Sequence, residues 1–228
     1  MAITLFSSIT NKEKEEAVLK FITHSTPRQE FYLMVALAIA MATFGLLLDN
    51  SAIIIGSMLI SPILYAFLSL ALGLSISDPN LMWRSLQTIL KAIFWGLGIS
   101  AVITLFADTD VVNHATLGGF RPSLLYGAVA LIAGFAAAFT ATRPQLNETL
   151  PGVAIAVALI PPIGASGIGL ATLNWALFRG AFTLFLLNTL AIVGGSLVVF
   201  LLMNTYAKKR VVEETLRSEE KKIEAESE

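Results

Sequence analysis

The sequence contains no cysteine and only two histidines among its 228 residues. Without cysteine, disulfides, thiolate metal sites and thiol nucleophiles are excluded. Phosphate-binding glycine loops with a lysine, His-Glu metal motifs and Ser-His-Asp sets are missing too, and the apolar segments offer no evident base for a nucleophile. We therefore expect no enzyme activity, no metal and no cofactor, and nothing in the chain resembles a nucleic-acid-binding surface.

Charge is also scarce, since only 14% of the residues are charged, while 56% are hydrophobic and the mean hydropathy is +0.77. Soluble domains carry about 25% charged residues. Apolar stretches of roughly 20 residues follow one another along the chain, as expected of membrane-spanning helices. The lipid bilayer is therefore the first partner that the sequence predicts.

The apolar pattern predicts an all-α bundle of six spans, at 31–48, 52–76, 84–106, 122–142, 150–171 and 175–206. A short amphipathic helix at 11–23 precedes them. It would lie at the membrane surface or cover the bundle, or it is a cytoplasmic helix without a membrane role. The expected units are a cytoplasmic or interfacial segment 1–30, membrane repeats 31–106 and 122–206, an extracytoplasmic loop 107–121, and a solvated, charged tail helix 207–228 that continues the sixth span.

Basic residues cluster on one side of the predicted spans, in the N-terminal segment, the even-numbered connections and the tail. By the positive-inside rule, both termini are then cytoplasmic. We expect a multi-pass protein of the inner (plasma) membrane.

The second and fifth predicted spans resemble each other. Residues 53–71 align without a gap on residues 153–171, and seven of the 19 aligned positions are identical, including Pro62 and Pro162. Because each copy contains three spans, an odd number, the second copy would enter the membrane from the opposite side. The sequence thus predicts a 3+3 inverted repeat in which the second and fifth spans are broken near their centres.

A proline break in a membrane helix frees backbone carbonyls before it and amides after it. These groups can bind an anion or a cation without a charged side chain, although many proline kinks serve packing alone. The candidate ligand-binding residues are Ser57, Ser61, Pro62, Pro161, Pro162, Ser166 and Asn188. Tyr65 lies near the first break, and Gly164, Gly167 and Gly169 follow the second, where they permit close approach of a ligand or form a packing face.

Two further groups of polar residues have two readings each. Asn188 would orient a substrate or hold a broken helix by bonding its carbonyls. Asp49 and Glu148 precede the two broken spans, where they are either acidic gates at opposite mouths or, together with Asn50 and Asn147, caps of helix starts.

The segments 52–62 and 150–162, together with Leu187-Asn188 and the following 191–193, resemble the signature segments of the domain-of-unknown-function 389 family. These are uncharacterised hydrophobic membrane proteins of prokaryotes. The resemblance implies a helical membrane protein and names no activity or functional residue.

Two functions are compatible with these patterns. The first is a transporter or channel for a small solute or ion that binds near the proline breaks. The second is a membrane scaffold or sensor that transports nothing and acts through its cytoplasmic helices. Six spans in 24.4 kDa make a thin bundle, so we expect a homo-oligomer.

Overall fold

The computed structural model describes residues 11–107, 120, 122–143, 146, 159–203, 215, 216 and 218, with side chains from residue 16 onward. The helices in these ranges are numbered in chain order. They are α1 (Asn11–Ser25), α2 (Gln29–Leu47), α3 (Ser51–Ile60), α4 (Ile63–Ile76), α5 (Pro79–Phe106), α6 (Leu124–Ala141), α7 (Ile160–Ala171) and α8 (Trp175–Leu202). The all-helical prediction is confirmed for this part of the chain.

Four helices, α2, α5, α6 and α8, are long and apolar enough to cross a membrane. The pair α3 and α4 supplies a fifth crossing if the two are counted as one span bent by 51°. The shorter α7, with 12 residues, is apolar as well. These helices indicate a membrane protein, but the described residues contain four or five apolar spans rather than the six predicted.

Two boundaries of the long helices differ from the prediction by more than two residues. Helix α5 begins at Pro79 rather than residue 84, because the Asp78 side chain accepts the amides of Asn80 and Leu81 and proline fits the first turn of a helix. Helix α8 ends at Leu202 rather than residue 206. In the tail, Thr215 and Leu216 are buried, so this part is packed rather than solvated as expected.

Three tight turns join helices in the same way. In each turn, a glycine carbonyl accepts a hydrogen bond from the backbone amide of the residue five positions later. That residue is an Asn or Asp, and it caps the next helix. The residue before it has a positive φ. This is the Schellman arrangement. The turns are Gly45–Asp49–Asn50, Gly73–Ser77–Asp78 and Gly169–Leu173–Asn174.

The second and third turns lie 96 residues apart, and the helices that follow them, α5 and α8, both have 28 residues. The alignment of the two proline-containing segments, 53–71 on 153–171, has a spacing of 100 residues. The two spacings differ by four residues, about one helical turn. A shift of one turn keeps the same helix face inward, so apolar sequence alone does not distinguish them.

Helix α7 lies at the centre of the packing, in contact with α2, α3, α5 and α8. Helix α4 contacts α5, α8 and α1. Helix α3 is the least enclosed, since it packs chiefly on α2 and only Ser57 of its ten residues is buried. Large apolar side chains such as Phe94, Leu105 and Leu190 are exposed, as expected of a surface that faces lipid.

Candidate functional site

The predicted first break is present. Helix α3 ends at Ile60, Ser61 has an extended backbone with ψ 124°, and α4 starts after Pro62. The Ser61 hydroxyl accepts the Ile63 amide at 3.4 Å, and the Pro62 carbonyl accepts the Tyr65 amide at 3.1 Å. Because proline has no amide hydrogen, the helical backbone hydrogen bonds do not continue across this point.

The end of α3 differs from the other helix ends described. The final residues of α2 and α4 are closed by backbone amides of their caps, whereas no such bond from Ser61 closes α3 within the described residues. Ser61 and Pro62 are half-buried. The break therefore presents backbone acceptors at a partly open position inside an apolar span.

Ser57 lies one turn before the break but points elsewhere. Its side chain is fully buried, and its hydroxyl donates to the Ile54 carbonyl at 2.6 Å within the same helix. This serine stabilises α3 and does not line the break.

The second pair of prolines opens a helix. Pro161 and Pro162 are buried in the first turn of α7, where the missing amide hydrogen costs nothing. The described residues thus place them at a helix start. Residues 147–158 lie outside the described residues, so a break in a continuous fifth span remains a prediction. The Ser166 hydroxyl donates to the Pro162 carbonyl at 2.6 Å.

The glycines of α7 allow close helix packing. A Cβ on Gly167 would meet the Ser100 side chain of α5, and one on Gly169 would lie 2.7 Å from the Phe178 amide. On Gly164 it would lie 3.3 Å from Leu46 of α2. Ser100 also donates to the Gly164 carbonyl at 2.7 Å. Of the two alternatives, these glycines form a packing face.

Asn188 is 4% exposed and lies on the inward face of α8, between Phe185 and Ile192, which are also buried. Phe185 packs edge-on against Phe67 of α4, with ring centroids 6.4 Å apart. The α8 face that carries Asn188 therefore packs on the half-helix that follows the first break.

Of the four residues predicted to be gates or caps, the structure describes Asp49 and Asn50. Asn50 caps α3, since its side chain accepts the amides of Ala52 and Ile53 at 3.0 and 3.3 Å. Asp49 occupies the left-handed turn position, with φ 51°. Asn147 and Glu148 lie outside the described residues. For Asn50, the capping alternative is the one that the structure has.

Helix α1 brings polar side chains to the break that the sequence did not indicate. His24 stacks on the Tyr65 ring with centroids 4.8 Å apart, and the Lys20 Nζ lies 5.9 Å from the same ring centre. The Ser69 hydroxyl donates to the Phe21 carbonyl at 2.9 Å and so fixes α1 on α4. Lys20 and His24 stand four residues apart on one helix face, the only sequence signal that could have linked them.

Burial and the nearby Lys20 ammonium lower the pKa of His24, and burial lowers the pKa of Lys20. Both shifts favour the neutral form, because desolvation penalises charge. The neutral imidazole is thus the form that suits this stacked position.

Two other site types find no support in the described residues. They contain no group of three or more His, Asp or Glu side chains that could hold a metal ion. A groove of 590 Å³ runs along α5, but its lining, which includes Phe94, Trp95 and Leu170, is apolar. This groove does not have the chemistry of a polar solute site.

Residues 58–194, which are 137 of the 228, match the family described as Domain of unknown function (DUF389). The chain belongs to the DUF389 family. An uncharacterized protein of Methanocaldococcus jannaschii is 27% identical over 172 residues, which cover 75% of this chain and 53% of that protein. The chain thus spans about half the length of this relative. No solved structure matches significantly.

The DUF389 region begins inside α3 and ends inside α8. It contains the Ser61-Pro62 break, all of α7 and Asn188, whereas α1 with Lys20 and His24 precedes it. The family resemblance seen in the sequence is confirmed, and its description assigns no activity.

Proposed function

We propose that this protein is a membrane transporter or channel for a small solute or ion. The translocated species would bind at the break between α3 and α4, close to the start of α7. The observation that carries this proposal is the 51° bend at Ser61-Pro62 within an otherwise apolar crossing.

Backbone groups at such a break need partners. Water is scarce in the hydrocarbon region, so unpaired carbonyls and amides must be satisfied by protein, ligand or an aqueous cavity. Discontinuous helices supply the ion and substrate sites of many secondary transporters. The uncapped end of α3 offers acceptors suited to a cation, and the start of α4 offers the positive end of a helix dipole.

Pairwise similarities support a 3+3 inverted repeat of six spans. Helix α5 contacts both α4 and α7, and α8 likewise contacts both α7 and α4. Ser100 of α5 and Ser196 of α8, 96 residues apart, each donate to a glycine carbonyl of another helix, Gly164 on α7 and Gly134 on α6. Only the serine positions correspond in the repeat, because the counterpart of α7 is α4. Gly98 and Gly194, also 96 residues apart, both have open space around the Cβ position.

The arrangement in the membrane follows from the charge distribution. We propose that both termini are cytoplasmic and that the protein resides in the inner membrane. We propose further that it forms a homo-oligomer. The sparse enclosure of α3 supports a second copy beside it, because Ile55 and Leu59 are 43% and 49% exposed.

A scaffold or sensor is the second candidate. It is favoured by the close docking of α1 on α4, where Val18, Phe21 and Ile22 are each 1% exposed, and by the burial of Leu216 from the tail. In this alternative, the cytoplasmic segments transmit a signal and the break is a packed kink.

A ligand screen tests the transport proposal. The purified protein is melted in detergent with sodium, potassium, chloride, phosphate and a set of amino acids. A compound that binds the folded state raises the melting temperature with the logarithm of its concentration. We expect a saturable rise for one compound that is lost in Asn188→Leu and retained in the neighbouring control Thr189→Val. A flat response to every compound would favour the scaffold.

A further inference from the structure

The outward face of α5 carries a charge inside an apolar crossing. Trp83, near the start of α5, is 61% exposed, and tryptophan is enriched at the headgroup level of bilayers. Lys91 follows eight residues later in the same helix, so its backbone lies about 12 Å deeper. Because the hydrocarbon core is about 30 Å thick, the Cα of Lys91 lies within the apolar part of one leaflet.

The Lys91 ammonium lacks a protein partner in the part of the chain that the structure describes. Lys91 is exposed, and no hydrogen bond or ion pair joins it to another described residue. Gln87, one turn earlier on the same face, is exposed as well. Helical side chains lean towards the N-terminus, so Lys91 extends towards Gln87 and the headgroups. A charge that faces hydrocarbon is costly, and an anionic partner at this level lowers the cost.

The apolar groove along α5 begins one turn beyond Lys91. Phe94 and Trp95 line it and are 74% and 60% exposed. They follow Lys91 by three and four residues, so they are its neighbours on the helix surface. Gly98, the next lining residue on this face, has no atom within 4 Å of a Cβ position, which leaves the middle of the groove open. Leu170 of α7 contributes to the lining from the neighbouring helix. The charge and the groove therefore form one continuous surface.

The length of the groove and the sign of the charge indicate what occupies this surface. The α5 residues of the lining span 94–103, which is about 15 Å of helix. This is half of the hydrocarbon thickness of about 30 Å, the depth that the acyl chains of one leaflet fill. A second copy related by a two-fold axis along the membrane normal would align the two α5 helices in parallel and oppose the two Lys91 charges, which repel each other. A lipid with an anionic headgroup fits both the charge and the groove.

We propose that the outward face of α5 binds an anionic phospholipid, with its phosphate at Lys91 and Gln87 and one acyl chain in the groove over Gly98. The ammonium binds phosphate as a point charge, and the Gln87 amide donates to an oxygen that remains. Each acyl methylene that enters the groove adds to the binding. The site does not depend on a transport activity at the break.

The test uses the full chain, delipidated in a neutral detergent, and measures the melting temperature against three lipids. They are phosphatidylglycerol, phosphatidylcholine with the same chains but no net charge, and dihexanoyl phosphatidylglycerol, whose chains are too short to fill the groove. A lipid that binds the folded state raises the melting temperature. We expect the largest saturable rise with long-chain phosphatidylglycerol and smaller rises with the other two.

Two pairs of variants separate the charge from the groove. Lys91→Gln is compared with Arg179→Gln, which removes an exposed positive charge from α8. Gly98→Leu fills the groove and is compared with Gly194→Leu, at an equally open position on α8. We expect Lys91→Gln to weaken the binding of phosphatidylglycerol at least about fivefold, the factor for one basic residue that faces anionic lipid. Gly98→Leu should weaken it too, while both controls bind as the wild type does.

Lys91→Arg keeps the charge and should retain the binding, so this variant and Gly98→Leu decide the question if Lys91→Gln does not fold. Several results would overturn the proposal. They are an equal response to phosphatidylcholine, equal losses in Lys91→Gln and Arg179→Gln, undiminished binding in Gly98→Leu, and no response to any lipid. A change of oligomer mass by light scattering in Gly98→Leu, without one in Gly194→Leu, would assign the groove to a second copy and would overturn it as well.

Discussion

Replacing Gly167 by alanine would place a methyl group where α7 crosses α5. The added Cβ would meet the Ser100 Cβ and lie 2.6 Å from its Oγ and 3.0 Å from the Leu97 carbonyl oxygen. Ordinary van der Waals contact begins at 3.4 Å. The helices would therefore have to separate by roughly 1 Å, which a densely packed interior resists.

The expected cost follows from three terms. Overpacking of this kind costs about 1–3 kcal/mol. Stretching the 2.7 Å hydrogen bond from Ser100 to the Gly164 carbonyl costs about 1 kcal/mol more. The higher helix propensity of alanine offsets about 1 kcal/mol. The net destabilisation is about 1–3 kcal/mol, and each kcal/mol lowers the melting temperature of a chain of this size by about 2–4 °C.

Tryptophan fluorescence during heating in detergent measures the effect, since the chain has three tryptophans. Gly98→Ala is the matched control, because no atom lies within 4 Å of a Cβ at that position on α5. We expect this control to melt at or above the wild-type temperature. Adding Ser100→Gly to Gly167→Ala removes the nearest clashing atoms and should recover part of the loss. A Gly167→Ala protein that melts like the wild type would refute this account of α7 packing.

Three further predictions concern the turns and α1. Leu173 has φ 55° and is 76% exposed. Leu173→Gly should therefore relieve about 1–2 kcal/mol of left-handed strain, partly offset by the entropy of glycine, and raise the melting temperature. A melting temperature below that of the wild type would contradict this. Asn50→Ala should destabilise by about 1 kcal/mol because two α3 amides lose their acceptor, whereas the exposed Ser51→Ala should change little; equal effects would reject the cap. The pKa of His24 is lowered in the folded protein, so its contribution to stability is full above its unfolded pKa and is lost as the pH falls through the folded value. Melting between pH 7.5 and pH 5 should then show an acid-induced loss that is smaller in His24→Gln, and identical profiles would exclude this role.

The local features could be predicted from the sequence. Apolar runs located α2, α5, α6 and α8, and the break at Pro62 followed from the missing amide hydrogen of proline. Two choices could not be made from the sequence. They are a gate or a cap at Asn50, and a ligand surface or a packing face at Gly167. Each depends on which groups lie opposite the residue in the folded chain. Both readings use the same residue types at the same positions.

Long-range features could not be predicted. Nothing local indicates that His24 stacks on Tyr65 or that the Ser69 hydroxyl donates to the Phe21 carbonyl, because these contacts depend on how α1 and α4 pack. Proline is equally compatible with a helix break and a helix start, so Pro162 by itself does not distinguish the two. The two repeat spacings, 96 and 100 residues, differ by about one helical turn, so both bury the same helix face. Only the positions of the turns distinguish them.

Solvent access to the break tests the central proposal most directly. The chain has no cysteine, so Ser61→Cys and Ser57→Cys each introduce a single thiol on or beside α3, one turn apart. Ser57 is fully buried and serves as the control. In membrane vesicles, small charged methanethiosulfonate reagents should modify the thiol at position 61 and spare the thiol at position 57. If the two thiols are equally protected from both cationic and anionic reagents, the break is dry and packed, and a transport pathway through it is contradicted.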